Sequence, residues 1–248
     1  MFRHSKMLTI KVCSIKLLIS VRGGDVMQVI VSKQYILLLN LAFFVAVSPV
    51  HADYTVVDTG QSSCFGLDQE INCPNENNAY FGQDSQYNGN TPTYNDTGNN
   101  TVIDHNTGLE WQQSADSNGD GVIDYSDKMN QSQAVSYCQN LVLANQNDWR
   151  LPNIKTLYSL MDFSGEDVSG QTSGATPFLN TDYFSFGYGD TSQGERLIDA
   201  QWASTSIYVS KVMNNNQDAM FGVNFADGRI KGRPSKTAIF FWPTFGLV

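Results

Sequence analysis

Residues 116–127, DSNGDGVIDYSD, restrict the possible folds more than any other stretch of this 248-residue chain. Four Asp, one Asn and two Gly within twelve positions favour local turns over a helix or a strand. The elements on either side must therefore be joined by a compact polar loop. The spacing also fits the twelve-position calcium pattern. Asp116, Asn118, Asp120 and Asp127 occupy positions 1, 3, 5 and 12 as side-chain donors, Val122 offers its carbonyl at position 7, and Asp124 at position 9 commonly acts through water. Gly121 falls at position 6, where the sharp turn needs a residue free of Cβ. The preceding TGLEWQQSA reads as strand and turn, so a calcium ion here would fasten a strand to a helix rather than open two helices as a sensor does. The alternative is an Asn/Asp/Gly-rich turn with no ion.

The first 52 residues differ in kind from the rest, with six Lys and Arg and the single acid Asp25. From Met27, Lys33 supplies a positive start, YILLLNLAFFVAVSPV an apolar core and Val50-His51-Ala52 a small-residue cleavage site. This predicts a signal peptide cut after Ala52, with export to the periplasm, cell surface or medium. Asn40, Ser48 and Pro49 interrupt the apolar run, so no stable membrane span is expected after cleavage. Residues 1–26 read as an over-extended start, with Met27 the initiator.

Residues 53–248 carry nine Lys and Arg against 23 Asp and Glu, a formal charge of −14. Such acidity opposes nucleic-acid binding and suits metal ions. Export permits disulfides, and Cys64 and Cys73 are close enough to close a small loop. Cys138 then reads as a buried thiol, the alternative being an intermolecular bridge in a homo-oligomer.

Residues 53–100 form a turn-rich extension, and 101–248 the main domain. TVIDHNTGLEWQQ predicts two strands around His105–Gly108. Asn130, with Gln133 three residues on, predicts a capped helix in which Ala134, Val135, Cys138, Leu141 and Val142 recur at helical spacing. Asn153 predicts a second helix, with Ile154, Leu157, Tyr158 and Met161 as its stripe. Strands follow in QWASTSIYV, in AMFGVNF (turned by Ala226–Gly228) and in TAIFFW. The expected class is α+β: two helices packed on a small, mainly antiparallel sheet with long irregular loops.

Catalytic constellations are sparse. His105 is the one histidine after residue 52, so neither a Ser/His/Asp triad nor a usual zinc set is expected. Trp149 and Arg150 read as fold determinants, and Glu195, Arg196 and Asp199 as an ion-pair cluster rather than an acid–base group. Arg229, Lys231, Arg233 and Lys236 could hold a polyanion through guanidinium forks. Equally, they could guard a hairpin edge against aggregation.

The block GLEW…DSNGDGVIDYSDK…AVSYCQNL…DWRLPNIKTLYSL…GERLIDAQWAS…FGVNFADGRIKG resembles the bacterial DUF1566, or Lcl C-terminal domain, family, over about residues 84–234. Its most specific element is Asp148-Trp149-Arg150-Leu151-Pro152. The resemblance implies a secreted or surface domain of C-type-lectin-like or sulfatase-modifying-like topology and, for the adhesin branch of the family, binding to glycans, often sulfated. The loop resembles the dockerin type, with Asp127 where sensors have Glu. Two departures stand out: Thr156 replaces a helix-start Glu, and FFWPTFGLV replaces a closing FVRxVRG strand. The expectation is a non-catalytic adhesion-type module with structural calcium, taking a glycan or surface polymer. The alternatives are an enzyme of the sulfatase-modifying-like superfold or a frameshifted, inactive remnant.

Overall fold

The computed structural model describes residues 7–12, 15–20, 55–170, 174–211 and 216–245. The chain divides into two units, Met1–Ala52 and Asp53–Val248. In the first, β1 (Met7–Val12) and β2 (Ile15–Ser20) pair antiparallel, with Met7 opposite Ser20. The expected signal core and cleavage site lie outside the described residues.

The second unit opens with a short antiparallel pair, β3 (Cys64–Phe65) and β4 (Glu70–Ile71), tied by a disulfide between Cys64 and Cys73. β5 (Tyr94–Asp96), β6 (Thr101–Asp104) and β7 (Leu109–Gln112) follow as an antiparallel meander. Asp104 explains the predicted β6–β7 turn. Its buried carboxylate accepts from the Asn106 N–H at 2.9 Å and the Thr107 hydroxyl at 2.6 Å. Gly108 takes the left-handed φ of +70° that closes the turn.

Two helices come next, α1 (Gln131–Asn140) and α2 (Ile154–Tyr158), with the expected caps. Asn130 Oδ1 accepts from the Gln133 N–H at 3.0 Å, and Gln133 Oε1 accepts from the Asn130 N–H at 3.0 Å. Asn153 Oδ1 accepts from the Thr156 N–H at 3.0 Å. The N-terminal donor at Thr156 is thus satisfied by the cap without a helix-start carboxylate.

β8 (Gln201–Ile207), β9 (Ala219–Asn224) and β10 (Arg229–Pro234) form a separate three-stranded antiparallel sheet, with β9 in the middle. The last strand, β11 (Thr244–Phe245), joins the meander beside β7, giving the order β11-β7-β6-β5. The class is thus α+β, but the single sheet expected from sequence is replaced by small separate antiparallel sheets. TAIFFW is not a regular strand either. Ile239 bridges Met129, Phe240 bridges Trp202 in β8, and Thr244 pairs with both Trp111 in β7 and Arg150. Pro243, which has no N–H to give a ladder, lies where the segment changes partners.

This segment closes the core. Phe240 and Trp242 are buried together with Trp111, Trp202, Phe184 and Phe225, while Phe241 is buried on the other side of the segment. Trp202 lies 4.3 Å from Phe240 and 5.0 Å from Trp242 between ring centroids, both edge-on. Each ring hides roughly 150–250 Å², which corresponds to roughly 4–6 kcal/mol of transfer free energy. The closing segment is therefore densely apolar and lies inside the domain. A second cluster, Ala134, Cys138, Leu151, Ala203, Met220, Ile239 and Phe241, fastens α1 to the β8–β9 face.

Candidate functional site: an acidic loop, a buried lysine and a cleft

The acidic loop lies between β7 and α1, as the sequence predicts. Its winding follows from side-chain acceptors meeting backbone donors. Asp116 accepts from Gly119 at 2.7 Å and Gly121 at 2.8 Å, Asn118 from Asp120 at 2.9 Å, and Asp120 from Val122 at 2.9 Å. Asp124 accepts from the Ser126 N–H at 2.7 Å. Asp127, fully buried, accepts from Ser117 at 2.7 Å and from Asp124 at 3.0 Å, so position 12 closes the loop on itself. Gly119 and Gly121 adopt φ of +78° and +86°, conformations costly for a residue with Cβ. Ile123 packs on the core, and its carbonyl would lie 2.5 Å from a Cβ placed on Gly187.

The donor set fits a hard divalent cation in kind: Asp116, Asn118, Asp120, Asp124 and Asp127 side chains plus the Val122 carbonyl, all oxygen. Yet among the described residues no group of three or more His, Cys, Asp or Glu is gathered closely enough to hold a metal ion. The carboxylates would have to be shared between an ion and the loop N–H groups.

Lys128 follows the loop directly and enters the interior. Its side chain is 2% exposed. Its ammonium lies 2.5 Å from Glu195 Oε2, 2.8 Å from the Asp199 carbonyl and 4.6 Å from the Phe240 ring centre. The sequence reading missed this residue; its signal was a lone cation placed directly after position 12. Glu195, read from sequence as part of a solvated cluster, is thus the partner of a buried cation.

Glu195, Arg196 and Asp199 belong to a loop that closes on itself. Gly189 N–H donates to the Leu197 carbonyl at 3.0 Å, and Glu195 N–H to the Asp190 carbonyl at 3.1 Å. A Cβ on Gly189 would sit 2.0 Å from the Arg196 carbonyl oxygen, so glycine is required by that approach. Arg196 forks onto Asp199, Nε to Oδ2 at 3.1 Å and Nη2 to Oδ1 at 2.6 Å. That fork holds the Asp199 carboxyl below its usual value, and Asp199 in turn raises Arg196. Opposite lies the Val168–Gly170 loop, and between the two is a cleft of about 580 Å³.

The four cations read as a polyanion patch are largely engaged already. Arg229 Nη2 lies 2.6 Å from Asp167 and Nη1 3.1 Å from the buried Asp227. Lys231 also pairs with Asp227, and Arg233 reaches Asp199 at 3.9 Å. Lys236 is exposed. Three of the four thus neutralise acids of this domain, with Arg229, Lys231 and Arg233 all on the edge strand β10. Cys138 is fully buried, and burial pushes its thiol up to about 12. It is neither a reactive nucleophile nor accessible for an intermolecular bridge. The Trp149 indole donates to the Leu143 carbonyl at 3.3 Å, and the Arg150 backbone exchanges two 2.9 Å hydrogen bonds with Thr244.

An α+β domain with small antiparallel sheets, an acidic loop between strand and helix, and a DWRLP segment seating the closing strand is the class these features define. The model of the Lcl C-terminal domain matches residues 100–244, and the chain belongs to that family. No curated protein and no solved structure matches it.

Proposed function

We propose that this protein is an exported, non-catalytic binding module that recognises a glycan or surface polymer, with a calcium ion fastening the 116–127 loop and a C-type-lectin-like course of the chain. The observation that carries the binding reading is the cleft between residues 168–170 and 191–198. Its walls combine apolar side chains, hydroxyls and a guanidinium already oriented by a carboxylate. Such mixtures fix a polar ligand without needing a reactive group. Calcium rests on the six oxygen donors at the required spacing and on Gly121 in the left-handed conformation that the turn demands. Extracellular modules work with affinities of about 10⁻⁴ to 10⁻³ M, so a weak site is sufficient outside the cell.

Glycan-array binding of the purified protein, with calcium and with chelator, tests both parts. Selective glycan binding in calcium is expected. Absence of binding to every glycan and polymer in both conditions rejects the binding role. A melting temperature that does not rise with millimolar calcium rejects the ion.

A further inference from the structure

Taking the glycan reading as its basis, we infer that the cleft between Val168–Gly170 and Thr191–Ile198 is the ligand seat, and that it takes an uncharged sugar rather than a sulfated or carboxylated polymer. The volume of about 580 Å³ falls in the range that encloses a small ligand or a short segment of a longer one. Val168 is buried, and Leu197 and Ile198 are half-buried, giving the cleft an apolar component. Ser169 and Thr191 are exposed and bring hydroxyls, while Gly170 adds no side chain. Apolar surface suits the C–H faces of a pyranose, and hydroxyls its equatorial groups.

Charge decides the ligand class. The two guanidinium groups at the cleft are each held by acids of the same chain, Arg196 in its lining by Asp199, and Arg229 beside Ser169 by Asp167 and Asp227. A sulfate or carboxylate would have to displace one of those acids or lie beside it, losing a charge-assisted bond or meeting like charge. A sugar hydroxyl has neither problem, because it donates and accepts at once. A guanidinium has five N–H donors, and the Asp199 pair uses two from the Arg196 side chain. Arg196 can therefore donate to a hydroxyl while Asp199 accepts from its neighbour. The Arg229 Nη1 at 3.5 Å from Ser169 Oγ brings a second carboxylate-held guanidinium to the same rim. The rim is also built before any ligand arrives, through the Gly189–Leu197 and Glu195–Asp190 backbone bonds, so little ordering cost opposes a weak, neutral ligand.

The test measures binding of the purified protein to a panel of neutral oligosaccharides and to heparin, at about 0.1 M and about 0.5 M salt. Wild type is compared with Arg196→Ala, Arg196→Lys and Ser169→Ala. Arg196 is 70% exposed in its side chain, so its replacement leaves the core intact, which matching thermal melts would verify. A neutral glycan should bind equally at both salts, lose about tenfold or more in Arg196→Ala, and be only partly restored in Arg196→Lys. Heparin binding that collapses at high salt, with no neutral ligand, would overturn the inference while leaving glycan recognition standing. Neutral binding that Arg196→Ala and Ser169→Ala leave unchanged would overturn the location. Failure of every glycan would end both readings.

Discussion

Lys128 Nζ and Glu195 Oε2 meet at 2.5 Å, with the lysine side chain 2% and the glutamate 17% exposed. One end of the pair is the residue after the acidic loop, and the other belongs to the loop that walls the cleft. Because the ammonium also binds the Asp199 carbonyl at 2.8 Å, it holds two points of that wall at once. Substituting Lys128→Met strands a largely buried carboxylate and should cost about 3 kcal/mol. Denaturant unfolding checks this, and Lys128→Met with Glu195→Gln should recover part of the loss. A double variant as unstable as the single one would mean that packing on Phe240, and not the ion pair, supplies the effect.

Acid should loosen both sides of the cleft. Asp199 is held below its ordinary carboxylate value first by the Arg196 hydrogen bond, and Asp167 first by its Ser169 hydrogen bond. A carboxyl lowered in the folded state stabilises fully above its unfolded value and loses that contribution as pH falls through the folded one. The melting temperature should therefore fall below about pH 4, and Asp199→Asn should make that fall shallower. An identical acid profile in the variant would exclude Asp199 as a contributor.

Reduction should act locally. The Cys64–Cys73 bridge spans nine positions, a short loop whose closure contributes roughly 2–3 kcal/mol in the chain-entropy description. Phe65 and Tyr80 are further tied through Gln83 Nε2, which donates to both carbonyls at 2.9 Å. A Cys64→Ser, Cys73→Ser variant should show faster amide exchange over residues 64–87 while β6 and β7 keep their protection. Equal loss of protection in both regions would contradict the separation.

Trp242→Ala should be close to the limit of tolerance. The side chain is fully buried against Trp202, Phe184 and Phe225, and such truncations cost about 3–5 kcal/mol. Against a typical total of about 5–15 kcal/mol, the variant should melt many degrees lower. Retention of the wild-type melting temperature would show that the closing segment contributes little.

Local chemistry was the readable part of this chain. Asn130 with Gln133 and Asn153 announce two helix starts because capping is decided within four residues, and both caps are present. The β6–β7 turn was legible for the same reason, since Asp104, Asn106 and Gly108 settle it among themselves. Legibility ended where partners are far apart. Nothing near Lys128 names Glu195 as its counter-ion, and nothing in GRIKGRP shows that Asp227 and Asp167 neutralise Arg229. Likewise TAIFFW has the composition of a strand, but its bridges run to Met129 and to Trp202 in β8, and Thr244 just after it pairs on the other sheet with Trp111 in β7, which makes the segment a connector.

That connector has a kinetic consequence. Thr244 meets Trp111 and Arg150, Phe245 meets Glu110, and Phe240 meets Trp202, so the two main sheets share a core only after segments separated by up to 135 positions come together. Closing loops of that length precedes the reward from burying the tryptophans, which slows folding and leaves the β6–β7 hairpin exposed on one edge until late. The core that holds Trp111, Trp202 and Trp242 should thus be completed only once residues 239–245 have ordered.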